Sequence, residues 1–126
     1  MEENLIAQLK SAPIWSEPFI LKRGDNLGRF QTVDSQVYWV EEGVLRISSA
    51  QVDQELGMRF AYSGEVFSRL DSYIKAVPSR YRIQALRKSS LRSCSKQEFE
   101  DFLNHQPILK IYWQKMLYQL IYEMLE

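Results

Sequence analysis

Ser63-Gly64-Glu65-Val66-Phe67-Ser68-Arg69-Leu70-Asp71-Ser72-Tyr73-Ile74-Lys75-Ala76-Val77-Pro78-Ser79-Arg80-Tyr81-Arg82-Ile83-Gln84-Ala85-Leu86 is the stretch on which the fold turns. It opens with a turn at Ser63-Gly64. Phe67, Leu70, Tyr73 and Ile74 then follow at spacings that place all four on one side of a helical turn. Pro78-Ser79 breaks the helix, and an alternating run follows. Tyr81, Ile83 and Ala85 lie on one face of it, Arg82 and Gln84 on the other. A short helix and a polar loop between strands form a natural place for an anionic ligand. The N–H groups of a helix start and of a loop converge there, with Arg69, Arg80 and Arg82 close in sequence. The same arginines also suit the wet face of a strand and loop, and composition by itself favours that plainer reading.

Working outward, the chain has 126 residues, enough for one domain with one core. Its 45% hydrophobic and 25% charged residues are those of a globular protein. Sixteen basic and sixteen acidic side chains cancel, which leaves no electrostatic footprint for nucleic acid or an anionic membrane. No apolar run reaches membrane-spanning length, and Met1-Glu2-Glu3 lacks the basic start of a signal peptide. The single cysteine, Cys94, excludes an internal disulfide and fits a reducing compartment, so a cytoplasmic protein is expected.

Upstream of the central stretch, Leu5, Ile6 and Leu9 have helical spacing, and Pro13 closes that helix. Phe19 to Lys22, Phe30 to Val33, Val37 to Val40, Val44 to Ile47 and Met58 to Tyr62 read as strands. Glu41-Glu42-Gly43 reads as a three-residue hairpin link with a bulge. Ser48 to Gly57 is a polar loop. In the strand after it Met58, Phe60 and Tyr62 form the apolar face, alternating with Arg59 and Ala61.

Downstream come strands over Tyr81 to Leu86 and Ser90 to Cys94. Ser95-Lys96-Gln97-Glu98 is then a capping box, followed by the stripe Phe99, Phe102 and Leu103. Pro107 separates that helix from a last one over Ile108 to Glu126. The plan is α+β: an antiparallel jelly-roll barrel with an N-terminal helix, a short inserted helix and two C-terminal helices. Residues 1–126 form one domain, with the helix in 1–12, the barrel in 14–94, its insert in 64–80 and the C-terminal helices in 95–126.

Trp113, Leu117, Leu120 and Met124 repeat in steps of four and three, the seam spacing of a coiled coil, and are the candidate homodimer contacts. Ile108, Ile111, Tyr112, Met116, Ile121 and Leu125 widen the apolar surface beyond what one partner covers. Packing of all of these on the chain's own domain is the other reading. No Gly, Asn or Pro stops the helix, and Glu123 and Glu126 oppose its dipole, so it is expected to fray or to continue in a longer chain.

Other chemistry is poorly supplied. His105 is the single histidine and sits at a helix end, where its charge favours the dipole. Cupin-type metal catalysis needs two or three histidines, and cluster sensing needs four cysteines. No nucleophile has a base beside it, so no catalytic residue, metal ligand or obligatory cofactor is assigned and no enzyme is expected.

The chain resembles the sensor domain of Crp/Fnr (catabolite-activator-type) transcription regulators, a bacterial family with the cyclic-nucleotide-binding fold. The resemblance rests on Phe19-Ile20-Leu21-Lys22-Arg23-Gly24-Asp25 and on Val37-Tyr38-Trp39-Val40-Glu41-Glu42-Gly43-Val44-Leu45-Arg46. It also rests on Gly64-Glu65-Val66-Phe67 at the entry of the phosphate cassette and Pro78-Ser79 at its exit. It is most similar to the branch common in Bacteroidetes. The resemblance implies a ligand-sensing and dimerisation domain, with DNA bound only through a further module outside this segment. Its candidate anion pocket is Gly64, Glu65, Arg69, Ser72, Ser79, Arg80, Tyr81 and Arg82.

Two departures matter. Ser68-Arg69-Leu70 stands where cyclic-AMP-binding members carry Gly-Glu-Leu, and an arginine cannot accept a hydrogen bond from the ribose hydroxyl. Ser79-Arg80-Tyr81 replaces Arg-Ser/Thr-Ala and puts a large ring against the ligand. A degenerate cassette follows, one that does not hold cyclic AMP in the usual way. It is suited to another anionic small molecule, or empty, or filled by Tyr81. The alternative is a ligand-free interaction domain working through the exposed last helix.

Overall fold

A computed structural model describes residues 2–29, 31–49 and 59–124. Four helices and seven strands follow one another along it. These are α1 (Glu2–Lys10), β1 (Phe19–Leu21), β2 (Val37–Glu42), β3 (Val44–Ser49), β4 (Arg59–Tyr62), β5 (Val66–Ser68) and α2 (Leu70–Lys75), then β6 (Tyr81–Ala85), β7 (Ser89–Cys94), α3 (Lys96–Asn104) and α4 (Pro107–Met124). Two antiparallel sheets form, in the orders β1-β7-β2-β5 and β4-β3-β6. This is the expected jelly-roll plan, with α2 inserted between β5 and β6 and the other helices before and after the strands.

One core lies between the sheets. Tyr38, Val40, Phe67 and Leu91 from the four-stranded sheet meet Leu45, Ile47, Ala61, Ile83 and Ala85 from the three-stranded one. A second core lies on the other side of the four-stranded sheet. There Val37 and Cys94 pack against Leu9, Tyr73, Phe99, Leu103, Leu109 and Trp113. The sheet is thus buried on both faces, which accounts for the continuous apolar run Val37-Tyr38-Trp39-Val40. Among the described residues no helix is long and apolar enough to cross a membrane.

Four readings need correction. Glu41-Glu42-Gly43 is not a hairpin link, because β2 and β3 belong to different sheets. Gly43 is the corner between them, at φ 135°, and a Cβ there would stand 2.0 Å from the Ser89 hydroxyl oxygen. That oxygen accepts from the Val44 N–H at 3.2 Å, so the corner is hydrogen-bonded as well as tight. In β4 the buried face is inverted. Ala61 pairs with Leu45 and points into the core, while Phe60 and Tyr62 are exposed, their rings 6.3 Å apart on the outer side of an edge strand. Met58 lies outside the described residues, as does most of the Ser48 to Gly57 loop, whose first two residues extend β3.

Phe30 is likewise outside the described residues. Residues 31–33 form no strand, since Gln31 takes a positive φ of 64° that an extended run cannot contain. The seventh strand is instead β5, which takes Phe67 out of the expected helix and stacks it on Tyr38 at 5.5 Å. The helix starts only at Leu70, ends at Ala76 in the left-handed region and leaves Ile74 exposed.

Candidate functional site

The segment from β5 through α2 to β6 holds most of the candidate residues. Arg69, the N-cap of α2, is 2% exposed. Its Nη1 donates to Asp34 Oδ2 at 2.5 Å, its Nη2 to the Leu27 carbonyl, and its Nε to the Tyr81 carbonyl at 3.4 Å. Asp34 also accepts from the Tyr38 hydroxyl at 2.6 Å and from the Gln36 N–H at 3.1 Å. Gly28, at φ 69°, leaves room for the guanidinium: a Cβ there would lie 3.6 Å from Nη1. Burial, and then the Asp34 carboxylate beside it, push the Tyr38 phenol well above the ordinary tyrosine range.

A second carboxylate organises the far side of α2. Asp71 Oδ1 accepts from the Ser72 N–H at 2.9 Å and from the Ser79 hydroxyl at 2.8 Å, and Oδ2 from the Arg80 N–H at 2.8 Å. Ser72 and Ser79 are themselves fully buried. The Ser72 hydroxyl donates to the Val77 carbonyl at 2.6 Å, and the Ser79 N–H to the Thr32 carbonyl at 2.9 Å. Tyr81 is half-buried against the inter-sheet core. Its phenol is pushed up by burial first and Asp71 second, with Arg59 pulling the other way.

Arg69, Ser72, Ser79, the Arg80 backbone and Tyr81 therefore do meet around α2. Gly64 and Glu65 do not join them, since they stand at the other end of β5. There they pin the β4–β5 turn through Gly64 N–H to the Val40 carbonyl (2.7 Å) and Tyr62 N–H to Glu65 Oε2 (3.2 Å). Arg82 is exposed on the outer face of β6, opposite Ser48. Two participants escaped the sequence reading. Asp71 was legible as an acid in the first turn of a helix. Asp34, 35 residues from its partner, carried no local signal.

Trp113, expected on a seam between copies, is 4% exposed and meets Phe99 edge-on at 4.8 Å inside its own domain. Leu117 is half-buried in the same core. The side chains of Leu120 and Met124 lie outside the described residues. The exposed side of α4 carries Ile108, Ile111, Tyr118 and Tyr122. His105 caps α3 with Nδ1 2.8 Å from the Asp101 carbonyl oxygen, and Cys94 is buried. Among the described residues no cluster of His, Cys, Asp or Glu could hold a metal ion.

No protein-family model and no curated protein matches the chain. Solved structures do. The catabolite activator protein of Thermus thermophilus superposes with a TM-score of 0.71 at 14% identity, over 97% of this chain and 55% of that one. This chain therefore spans little more than half of that activator. The sensor domain of the transcriptional regulator DNR from Pseudomonas aeruginosa gives 0.69 at 15%, over 93% and 76%. A structure from a cyclic-GMP-dependent signalling pathway that regulates bacterial phytopathogenesis gives 0.69 at 16%, over 95% and 91%. The fold of this chain, with α2 inserted between β5 and β6 and a long last helix, is that of the cyclic-nucleotide-binding sensor domains of Crp/Fnr-type transcription regulators.

Proposed function

We propose that this chain is the sensor and dimerisation domain of a Crp/Fnr-type regulator whose cassette carries its own anions in place of a cyclic nucleotide. The observation that carries the reading is the use of the cassette's donors. Asp71 takes the N–H groups of Ser72 and Arg80 and the hydroxyl of Ser79, while Asp34 and two carbonyls take the guanidinium of Arg69. A phosphate entering here would have to displace a carboxylate that already sits among those donors. It would also meet like charge. Arg69, Ser72, Ser79 and the Arg80 backbone then serve to hold α2 in place rather than to receive a ligand.

A thermal-shift series with cyclic AMP, cyclic GMP and a cyclic dinucleotide tests this directly. A ligand at a hundred times its dissociation constant stabilises a fold by about 2.7 kcal/mol, several degrees for a domain of this size. The expected response to all three is none. Clear stabilisation by cyclic AMP would overturn the reading of both carboxylates.

A second reading is favoured by the outer side of α4. Its exposed Ile108, Ile111, Tyr118 and Tyr122 suit an interaction domain that has no ligand and a partner other than itself. Sedimentation separates the two: a dimer supports the regulator reading, a monomer at high concentration the alternative.

A further inference from the structure

A cavity of about 250 Å³ opens on the helical side of the four-stranded sheet, between α1, the β4–β5 turn, α3 and α4. Its walls are apolar: Leu9 of α1, Phe99 and Leu103 of α3, and Trp113 and Met116 of α4 contribute to them. A dry apolar cavity of roughly 150 Å³ accepts a benzene ring, and pockets for drug-sized ligands begin near 300 Å³. The space here fits a bicyclic ring or a chain of about eight carbons.

The polar groups around it are not balanced. Arg59 and Glu65 both line the cavity. Lys10 does not itself line the cavity, but its ammonium lies beside the lining residue Gly64, 3.4 Å from where a Cβ on that glycine would stand. Glu65 Oε2 already accepts the Tyr62 N–H, the Lys10 ammonium lies 5.6 Å from the centroid of the Trp39 ring and Arg59 acts on the Tyr81 phenol, but among the described residues neither cation is held in an ion pair. Two cations beside an apolar hollow call for an anionic head on an apolar body.

We propose that this cavity binds a small apolar carboxylate, its ring or chain among Phe99, Leu103, Trp113 and Met116 and its carboxylate toward Arg59 and Lys10. The site shares Gly64 and Glu65 with the anion pocket expected from the sequence, but it takes none of the residues gathered around Arg69 and Asp71. Four of its lining residues, Leu109, Tyr112, Trp113 and Met116, belong to α4, so a bound molecule fixes that helix against the β4–β5 turn, on the side away from the exposed Ile108 and Ile111.

Calorimetric titration with 2-naphthoate and with its neutral twin 2-naphthamide tests the proposal. The acid should bind saturably, one molecule per chain, and the amide at least tenfold more weakly. Arg59→Gln should remove most of that difference. Met116→Trp, which fills the cavity, should abolish binding while far-ultraviolet circular dichroism stays native. Nuclear Overhauser contacts between the naphthoate ring and the Trp113 indole provide a check that needs no variant. Absence of saturable binding, equal affinity for acid and amide, or contacts to a different part of the chain would each overturn it.

Discussion

At the scale of single residues, Arg69 carries the most information, because a guanidinium with 2% of its surface exposed must find its acceptors inside the protein. It finds Asp34 and the carbonyls of Leu27 and Tyr81. Removing one member of such a pair is costly, since it leaves the other charged and buried. Asp34→Ala should therefore lower unfolding stability by about 3–5 kcal/mol. The double change Asp34→Leu with Arg69→Met should recover most of that loss, since an apolar pair of similar volume needs no partner. Urea unfolding of the two variants decides the point, and an additive double variant would mean the pair is not coupled. The sequence showed the charge of Arg69 but not its burial. An arginine at the start of a short helix between strands looks like a ligand contact until the carboxylate 35 residues away is placed against it. Asp71 was readable only as a favourable charge at a helix start. Its grip on Ser79 and Arg80 depends on a loop returning to that start.

At the scale of elements, local chemistry decided what was legible. The α3 cap was written in the chain: Ser95 accepts from the Glu98 N–H at 3.1 Å, and Phe99 and Leu103 are buried behind it. β4 was misjudged because alternation gives two faces without saying which is inside. The small residue, Ala61, goes in because it pairs with core-facing Leu45, and the aromatic rings go out. The last helix posed the same problem with two apolar stripes. The domain itself takes the stripe that includes Leu109, Trp113 and Leu117. What remains for a partner is Ile108, Ile111, Tyr118 and Tyr122, with exposed Lys115 completing the three-four alternation. If two copies pair along this stripe, Ile111→Glu or Tyr118→Glu should give monomers with unchanged circular dichroism. Lys115→Ile, which replaces a charge facing its own copy, should tighten the dimer roughly tenfold or more. Trp113→Glu should unfold the domain instead, because it puts a carboxylate into the core around Phe99. Sedimentation equilibrium of the four variants checks the set, and a dimer that survives Ile111→Glu and Tyr118→Glu would remove this seam.

At the scale of the whole molecule, the four-stranded sheet is the shared wall of two cores, and each core buries ionisable groups in their neutral form. Cys94 and Tyr73 lie on the helical side, Tyr38 between the sheets. Burial, followed by Glu98, pushes the Cys94 thiol up to about 12. Burial likewise raises Tyr73, with Glu100 second, and Tyr38, with Asp34 second. In each case the folded state holds its proton to higher pH than the unfolded chain. Stability is thus untouched by these groups at neutral pH. It falls once pH passes the unfolded values, near 9 for the thiol and 10 for the phenols, and continues to fall until the folded groups ionise. Each group withheld from ionisation contributes a slope of about 1.4 kcal/mol per pH unit, so these three acting together approach 4, and half-buried Tyr81 acts in the same direction. The urea midpoint should therefore hold level from pH 7 to 9 and then drop steeply towards pH 11.5. Cys94→Val removes the thiol's share, and the decline should begin about one pH unit later, with the phenols. A midpoint that stays level to pH 11, or a variant that declines as early as the parent chain, would show that the two cores let these groups ionise without opening.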